Sequence, residues 1–207
     1  MMNPYRILQA ATLVVALTFG HAAIADSSAN AGDPGRFIEQ LASQAIKVLS
    51  SPNGSLQERE NRFRDMLRED FAMKDIGRFV LGTYWRRMND EQRQTYMKLF
   101  SEWVLKTYSV RLGGYSGEQF QVVGTTPTGK QDVLVKTRIN KSGNGGFTAT
   151  WRVRQDNGRY KIIDIYVEGV SMAITQRSEF ESILQRHGVD GLLSMLRDKV
   201  DKMSAAS

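Results

Sequence analysis

Residues 162–180 read IIDIYVEGVSMAITQRSEF, and the order of the parts decides the fold. Ile163, Ile165 and Val167 alternate with Asp164, Tyr166 and Glu168, the period of a half-buried strand. Gly169 breaks that alternation. Ser178 with Glu181 three residues on forms a capping box, so an amphipathic helix is expected from Ser178 to His187, ended by Gly188. A strand that turns into a helix joins a sheet to closing helices, and nothing at the junction carries chemistry. Glu168-Gly169 reads as strand end and turn, and Ser178 as a cap.

Upstream lie further strands. Phe120 and Val122 alternate in the first; Val133, Val135, Thr137 and Ile139 share a face in the second. In the third, Phe147, Ala149, Trp151 and Val153 oppose Thr148, Thr150, Arg152 and Arg154. Asp156-Asn157-Gly158 is a tight hairpin signal leading into the strand already described. Short connections of this kind imply an antiparallel meander.

Helices precede the strands. Asp33-Pro34 reads as an N-cap followed by Pro at the first helical position, with Phe37, Ile38, Leu41, Ala45, Val48 and Leu49 at helical spacing. Pro52-Asn53-Gly54 is a turn, and Ser55 with Glu58 opens a second helix carrying Phe63, Met66 and Leu67 on one face. A short helix is expected over Met73–Leu81, ended near Gly82. Asn89 caps a long helix reaching about Leu112, stopped by Gly113-Gly114. Its apolar side is broad: Tyr96, Met97, Leu99, Phe100, Trp103, Val104, Tyr108 and Val110 cover about half its circumference. Lys98, Ser101, Glu102, Lys106 and Ser109 form the polar strip, with Leu105 inside it as a candidate for partner contact. So broad an apolar side must pack on two sides, or pack on one and face a ligand on the other. A last helix runs from Asp190 to about Met203. The fold class expected is α+β: N- and C-terminal helices against one face of a curved antiparallel four-stranded sheet.

The N-terminus says where the chain works. Arg6 is followed by an uncharged apolar run, Ile7 to Phe19, and then by the small-x-small site Ala23-Ile24-Ala25. This is the pattern of a secretory signal peptide over residues 1–25, with a single domain over 26–207. The run is well short of the about 20 apolar residues that span a bilayer. There is no cysteine, so no lipid is attached after cleavage and no disulfide forms; stability must come from a packed core. The formal net charge of +6 falls by one when Arg6 leaves. That mild excess suits anionic headgroups, an acidic protein partner or simple solubility. Without a dense Lys/Arg cluster, nucleic acid is not expected as a partner.

Chemistry is scarce. Past the signal peptide His187 is the single histidine, placed at a helix end where its ring favours the carbonyl dipole. Metal sites and Cys- or His-based nucleophilic catalysis lack their residues, and no phosphate-cradling glycine loop is present. Asp164 and Glu168 lie on one strand face about 13 Å apart, too far for a glycosidase-type pair. A single buried acid in an apolar cone, as in a steroid-isomerase-type enzyme, stays open as the alternative, as does a scaffold subunit without ligand.

Four blocks in order resemble the MlaC family of proteins, also called toluene-tolerance proteins. They are Phe79-Val80-Leu81-Gly82-Thr83-Tyr84-Trp85-Arg86 with Asp90-Glu91-Gln92-Arg93; the long helix ending Lys106-Thr107-Tyr108; Glu168-Gly169-Val170-Ser171-Met172; and Gly188-Val189-Asp190-Gly191-Leu192. The resemblance implies a soluble periplasmic phospholipid carrier, not an enzyme, that maintains outer-membrane lipid asymmetry. Phospholipid is its cargo and no cofactor is needed. Implied partners are the inner-membrane Mla ABC transporter complex and an outer-membrane lipoprotein–porin complex, met by a monomer that touches membrane surfaces transiently. Acyl chains are expected against Val80, Trp85, Phe100, Val104 and Tyr108 of the helices. On the sheet they are expected against Val122, Val135, Ile139, Ala149, Trp151, Val153, Ile163 and Ile165, and at the junction against Val170 and Met172. The headgroup is expected near solvent beside Arg86, Arg87 or Arg177.

Overall fold

Capping chemistry sets where the helices begin. The computed structural model describes residues 32–50, 55–112, 119–140 and 146–205. The expected signal peptide and its cleavage site lie outside these residues, as do the Pro52-Asn53-Gly54 turn and the Gly113-Gly114 stop. Helix α1 (Pro34–Leu49) starts where the Asp33 carboxylate accepts from the Gly35 N–H at 2.8 Å, with Pro34 in the first turn. Helix α2 (Leu56–Asp70) opens on the reciprocal Ser55–Glu58 box. Helix α3 (Met73–Leu81) follows directly, then a 3-10 turn over Gly82–Arg87. Asn89 and Gln92 exchange side-chain hydrogen bonds to each other's N–H groups and open α4 (Asp90–Leu112).

The strands form one antiparallel meander in chain order: β1 (Gln119–Thr128), β2 (Asp132–Asn140), β3 (Gly146–Asp156), β4 (Arg159–Val167) and β5 (Val170–Ser171). The sheet thus has five strands where four were expected; β5 is a two-residue edge pairing Tyr166 and Val167. Asn157 and Gly158 both take positive φ, which suits the two-residue turn between β3 and β4. Two bulges interrupt the ladder, at Val122/Gly124 and opposite Arg152/Val153. The second corrects the expected face of β4. Val153 pairs with Ile162 and Trp151 with Ile165, so Ile162 is fully buried and Ile163 is the extra, partly exposed residue.

The last helix, α5 (Met172–Ala205), starts earlier than its sequence suggests. Ser171 accepts from the Ile174 N–H at 3.0 Å, and Asp164 accepts from the Ser171 hydroxyl and the Ala173 N–H. Ser178 is therefore no cap: it lies inside the helix and donates to the Ile174 carbonyl. Gly188, with φ 66° and ψ −169°, is non-helical and kinks α5 into two helical segments, so the closing helices part at Gly188 as expected and only the start of the first is moved.

Two apolar clusters hold the elements. The larger joins α2, α3, α4 and α5 around Tyr96, Phe100, Phe180 and Leu196. The smaller joins α1 to the sheet through Phe37, Ile38, Leu41, Val135, Val153 and Ile162. Met66 and Phe71 touch both clusters. On the sheet's other face Arg152 and Arg154 both donate to the buried Asp132 carboxylate, at 2.8 and 2.6 Å. The Arg154 hydrogen bond leads in holding the Asp132 carboxyl below its ordinary pKa, with Arg152 adding to it against the cost of burial. Among the described residues no hydrogen bond or ion pair joins α1 to another element; apolar contact alone holds it.

Candidate functional site

Between the two clusters lies a cavity of about 360 Å³. Helix α1 supplies one wall through Ile38, Leu41, Ala42, Ala45, Ile46 and Leu49. Phe63, Met66 and Leu67 of α2 and Val104, Leu105 and Tyr108 of α4 form the second. Phe120, Ile139, Phe147, Trp151 and Ile165 of the sheet form the third. Phe71 and Met73 line one end, where Phe71 bridges to Ile162 and the Ala72 N–H donates to the Ile162 carbonyl at 2.9 Å. The other end reaches the rim of the fold, since Leu49, Phe120, Ile139 and Phe147 stand at or next to the ends of their elements. No charged side chain lines it among the described residues.

One buried polar pair shapes this wall. The Trp151 indole N–H donates to the Thr137 hydroxyl at 3.0 Å, and that hydroxyl donates to the Ala149 carbonyl at 2.9 Å. Thr137 is fully buried. The chain satisfies the one polar atom of Trp151 and leaves the rest of its ring for the cavity, beside Phe120 at 6.3 Å between centroids. The chemistry of the lining favours an apolar occupant: water in this space would find few polar partners, whereas a hydrocarbon would meet side chains on every wall.

Five residues singled out in the sequence lie on the cavity wall: Val104, Tyr108, Ile139, Trp151 and Ile165. Val80 and Phe100 are buried among the helices, and Trp85 packs there against Tyr96. Val122, Val135 and Val153 pack between α1 and the sheet, and Ala149 is buried in β3. Met172 is half-buried at the start of α5; Val170 is exposed. Neither of these, nor Ile163, joins either cluster.

Two expectations are corrected. Leu105 is no surface contact: it is 1 % exposed and lines the cavity, because α4 is packed by α2 on one side and α5 on the other. Arg86, Arg87 and Arg177 do not line the cavity; Arg87 lies over Tyr84 and Arg177 over Phe79. The largest omission is the α1 wall, whose apolar spacing was plain but whose partner face was not.

Three comparisons bear on this architecture. The family described as MlaC protein matches residues 39–198. The intermembrane phospholipid transport system binding protein MlaC of Haemophilus influenzae is 24% identical over 189 residues, covering 87% of this chain and 86% of its own. A solved structure of a phospholipid-binding protein from Ralstonia solanacearum, in complex with a phospholipid, superposes with a TM-score of 0.74 at 19% identity, over 84% of this chain and 99% of that one. At that identity the superposition speaks for the fold. The family match spans α1 through most of α5 and takes in every wall of the cavity but Ile38. By that match, the chain belongs to the MlaC family.

Proposed function

We propose that this chain is a periplasmic phospholipid carrier, moving lipid between the inner and outer membranes and so maintaining outer-membrane lipid asymmetry. The observation that carries the reading is a cavity walled by apolar side chains of α1, of α2 with α4, and of the sheet. Two acyl chains hold about 30 methylenes, each worth about 0.8 kcal/mol on leaving water, or on the order of 20 kcal/mol together. A carrier removes most of that barrier by exchanging one apolar environment for another. Because bilayer and cavity are both apolar, the transfer is nearly balanced, and direction comes from partners. The names of the relatives support phospholipid as cargo and a transport system as the setting.

The localisation rests on the signal-peptide pattern of residues 1–25; among the described residues no helix is long and apolar enough to cross a membrane. An isomerase-type reading needs an acid facing the pocket, and none lines it among the described residues. The test is native mass spectrometry of the protein expressed with its leader and purified gently from bacterial periplasm. Added masses matching phospholipids are expected. A bare polypeptide mass under conditions that keep the fold sinks the proposal.

A further inference from the structure

Arg78, Arg86 and Arg87 stand between Ile76 and Asn89 with no acidic residue among them. The fold brings Arg177 of α5 to the same place, its guanidinium lying against Gly82, where an added Cβ would meet it at 2.8 Å. Each cation but one rests on a ring. Arg78 lies 5.6 Å from the Trp85 ring centroid, Arg87 5.1 Å from that of Tyr84, and Arg177 5.3 Å from that of Phe79. Arg93 covers Trp85 as well, at 5.5 Å, but is already paired with Asp90 at 3.0 Å. Among the described residues no carboxylate lies within ion-pair distance of Arg78, Arg86, Arg87 or Arg177. Apolar surface lies beside them: Phe79 is 44% exposed, and Ile174, one turn before Arg177, is 55% exposed.

Rings under guanidiniums hold the side chains extended and leave their N–H edges outward, so little rotamer freedom is lost when an anion is bound. Such edges match carboxylates bidentately, and Arg, Trp and Tyr are the residues that dominate protein–protein contacts. A bilayer would instead use the aromatic rings by inserting them at headgroup level. Here Trp85 and Tyr84, the rings suited to headgroup level, are half-buried, Trp85 with two guanidiniums against it and Tyr84 with one, so neither is offered; the apolar surface left is Phe79 and Ile174.

We infer that α3, the turn after it and the first turns of α5 form a docking surface for a protein partner that presents carboxylates around an apolar spot covering Phe79 and Ile174. The inference rests on the carrier reading, in which cargo must be handed over.

A photo-cross-linking residue placed at Ile174 in the full chain, expressed with its leader in a periplasm-bearing host, tests it. Cross-linked peptides are mapped by mass spectrometry. The expected result is a protein adduct through a segment rich in Asp and Glu. Its yield should fall at least tenfold in R86E/R87E and return when the mapped carboxylates are reversed to Arg. Adducts to lipid alone, adducts indifferent to the reversal, or no adduct overturn it. Both arginines are exposed, and R86E/R87E should keep its circular dichroism spectrum and its co-purified phospholipid. If instead the wild-type chain carries no phospholipid, it is the carrier reading that has failed.

Discussion

The two halves of α4 use the same residue types, yet one is packed on all its apolar sides and the other lines the cavity. In the first half Tyr96 stacks on Phe100 at 5.4 Å, and Phe180 closes on Phe100 and Trp103 at 6.2 and 5.8 Å. The Tyr96 hydroxyl donates to the Gly77 carbonyl at 3.0 Å, and burial pushes its pKa upward, so it stays a neutral donor. Gly77 permits that approach, because a Cβ there would sit 2.9 Å from the Met97 sulfur and 3.1 Å from Phe100. In the second half Val104, Leu105 and Tyr108 pack with α2 on one side and line the cavity shared with α1 and the sheet on the other. A surplus of apolar side chains thus marks either a doubled core or a cargo wall, and what stands opposite decides which.

Substitutions should separate the halves. Phe100→Ala removes the centre of the filled half and should cost about 3–5 kcal/mol in urea unfolding, with phospholipid per folded molecule unchanged. Cargo lost at unchanged stability would reverse the contrast. Thr137→Val strands the buried Trp151 N–H and should cost about 1–3 kcal/mol, while Thr137→Ser recovers most of it. Indole emission and cargo content should move together in the Val variant, because Trp151 is part of the wall.

Asp70, the residue before the cavity-lining Phe71, offers a test by pH. Burial raises its pKa to about 6, against a lowering by Lys161 and a further raising by Glu69. The folded chain then holds a proton that the unfolded chain releases near pH 3.8, so stability falls as pH rises from there to about 6. The full shift corresponds to about 3 kcal/mol, which part exposure of the side chain reduces to roughly 1 kcal/mol. Asp70→Asn should therefore add about 1 kcal/mol at pH 7.5 and nothing at pH 3.5, as read from denaturation midpoints. The smallest effect on stability, under about 1 kcal/mol either way, is expected for Ala42→Phe, which puts a ring into the gap without displacing packed neighbours. Its phospholipid content should drop sharply; retained cargo would separate the cavity from the function.

Local chemistry made much of this fold legible. Asp33-Pro34, Ser55 with Glu58, Asn89 and Asn157-Gly158 act in the structure as their side chains dictate. Misreadings came where a distant residue overrode a local signal. Ser178 with Glu181 is a sound capping box, but Asp164, across a turn, secures Ser171 as the earlier cap. Ile163 follows strict alternation until a bulge shifts the phase. In the cavity, Trp151 and Tyr108 were visible as apolar positions on their own elements. The α1 wall and Leu105 were not, because membership depends on which helices pack across the gap. The arginine-bearing surface was hidden likewise: Arg177 meets Gly82 only in three dimensions.

Helix α1 is held by contact without direction. Hydrogen bonds fail steeply with angle and distance, whereas apolar surfaces slide past one another at a cost that rises gradually. On the carrier reading, α1 is the wall that can yield to acyl chains of different length, while the hydrogen-bonded ladder of the sheet keeps its register.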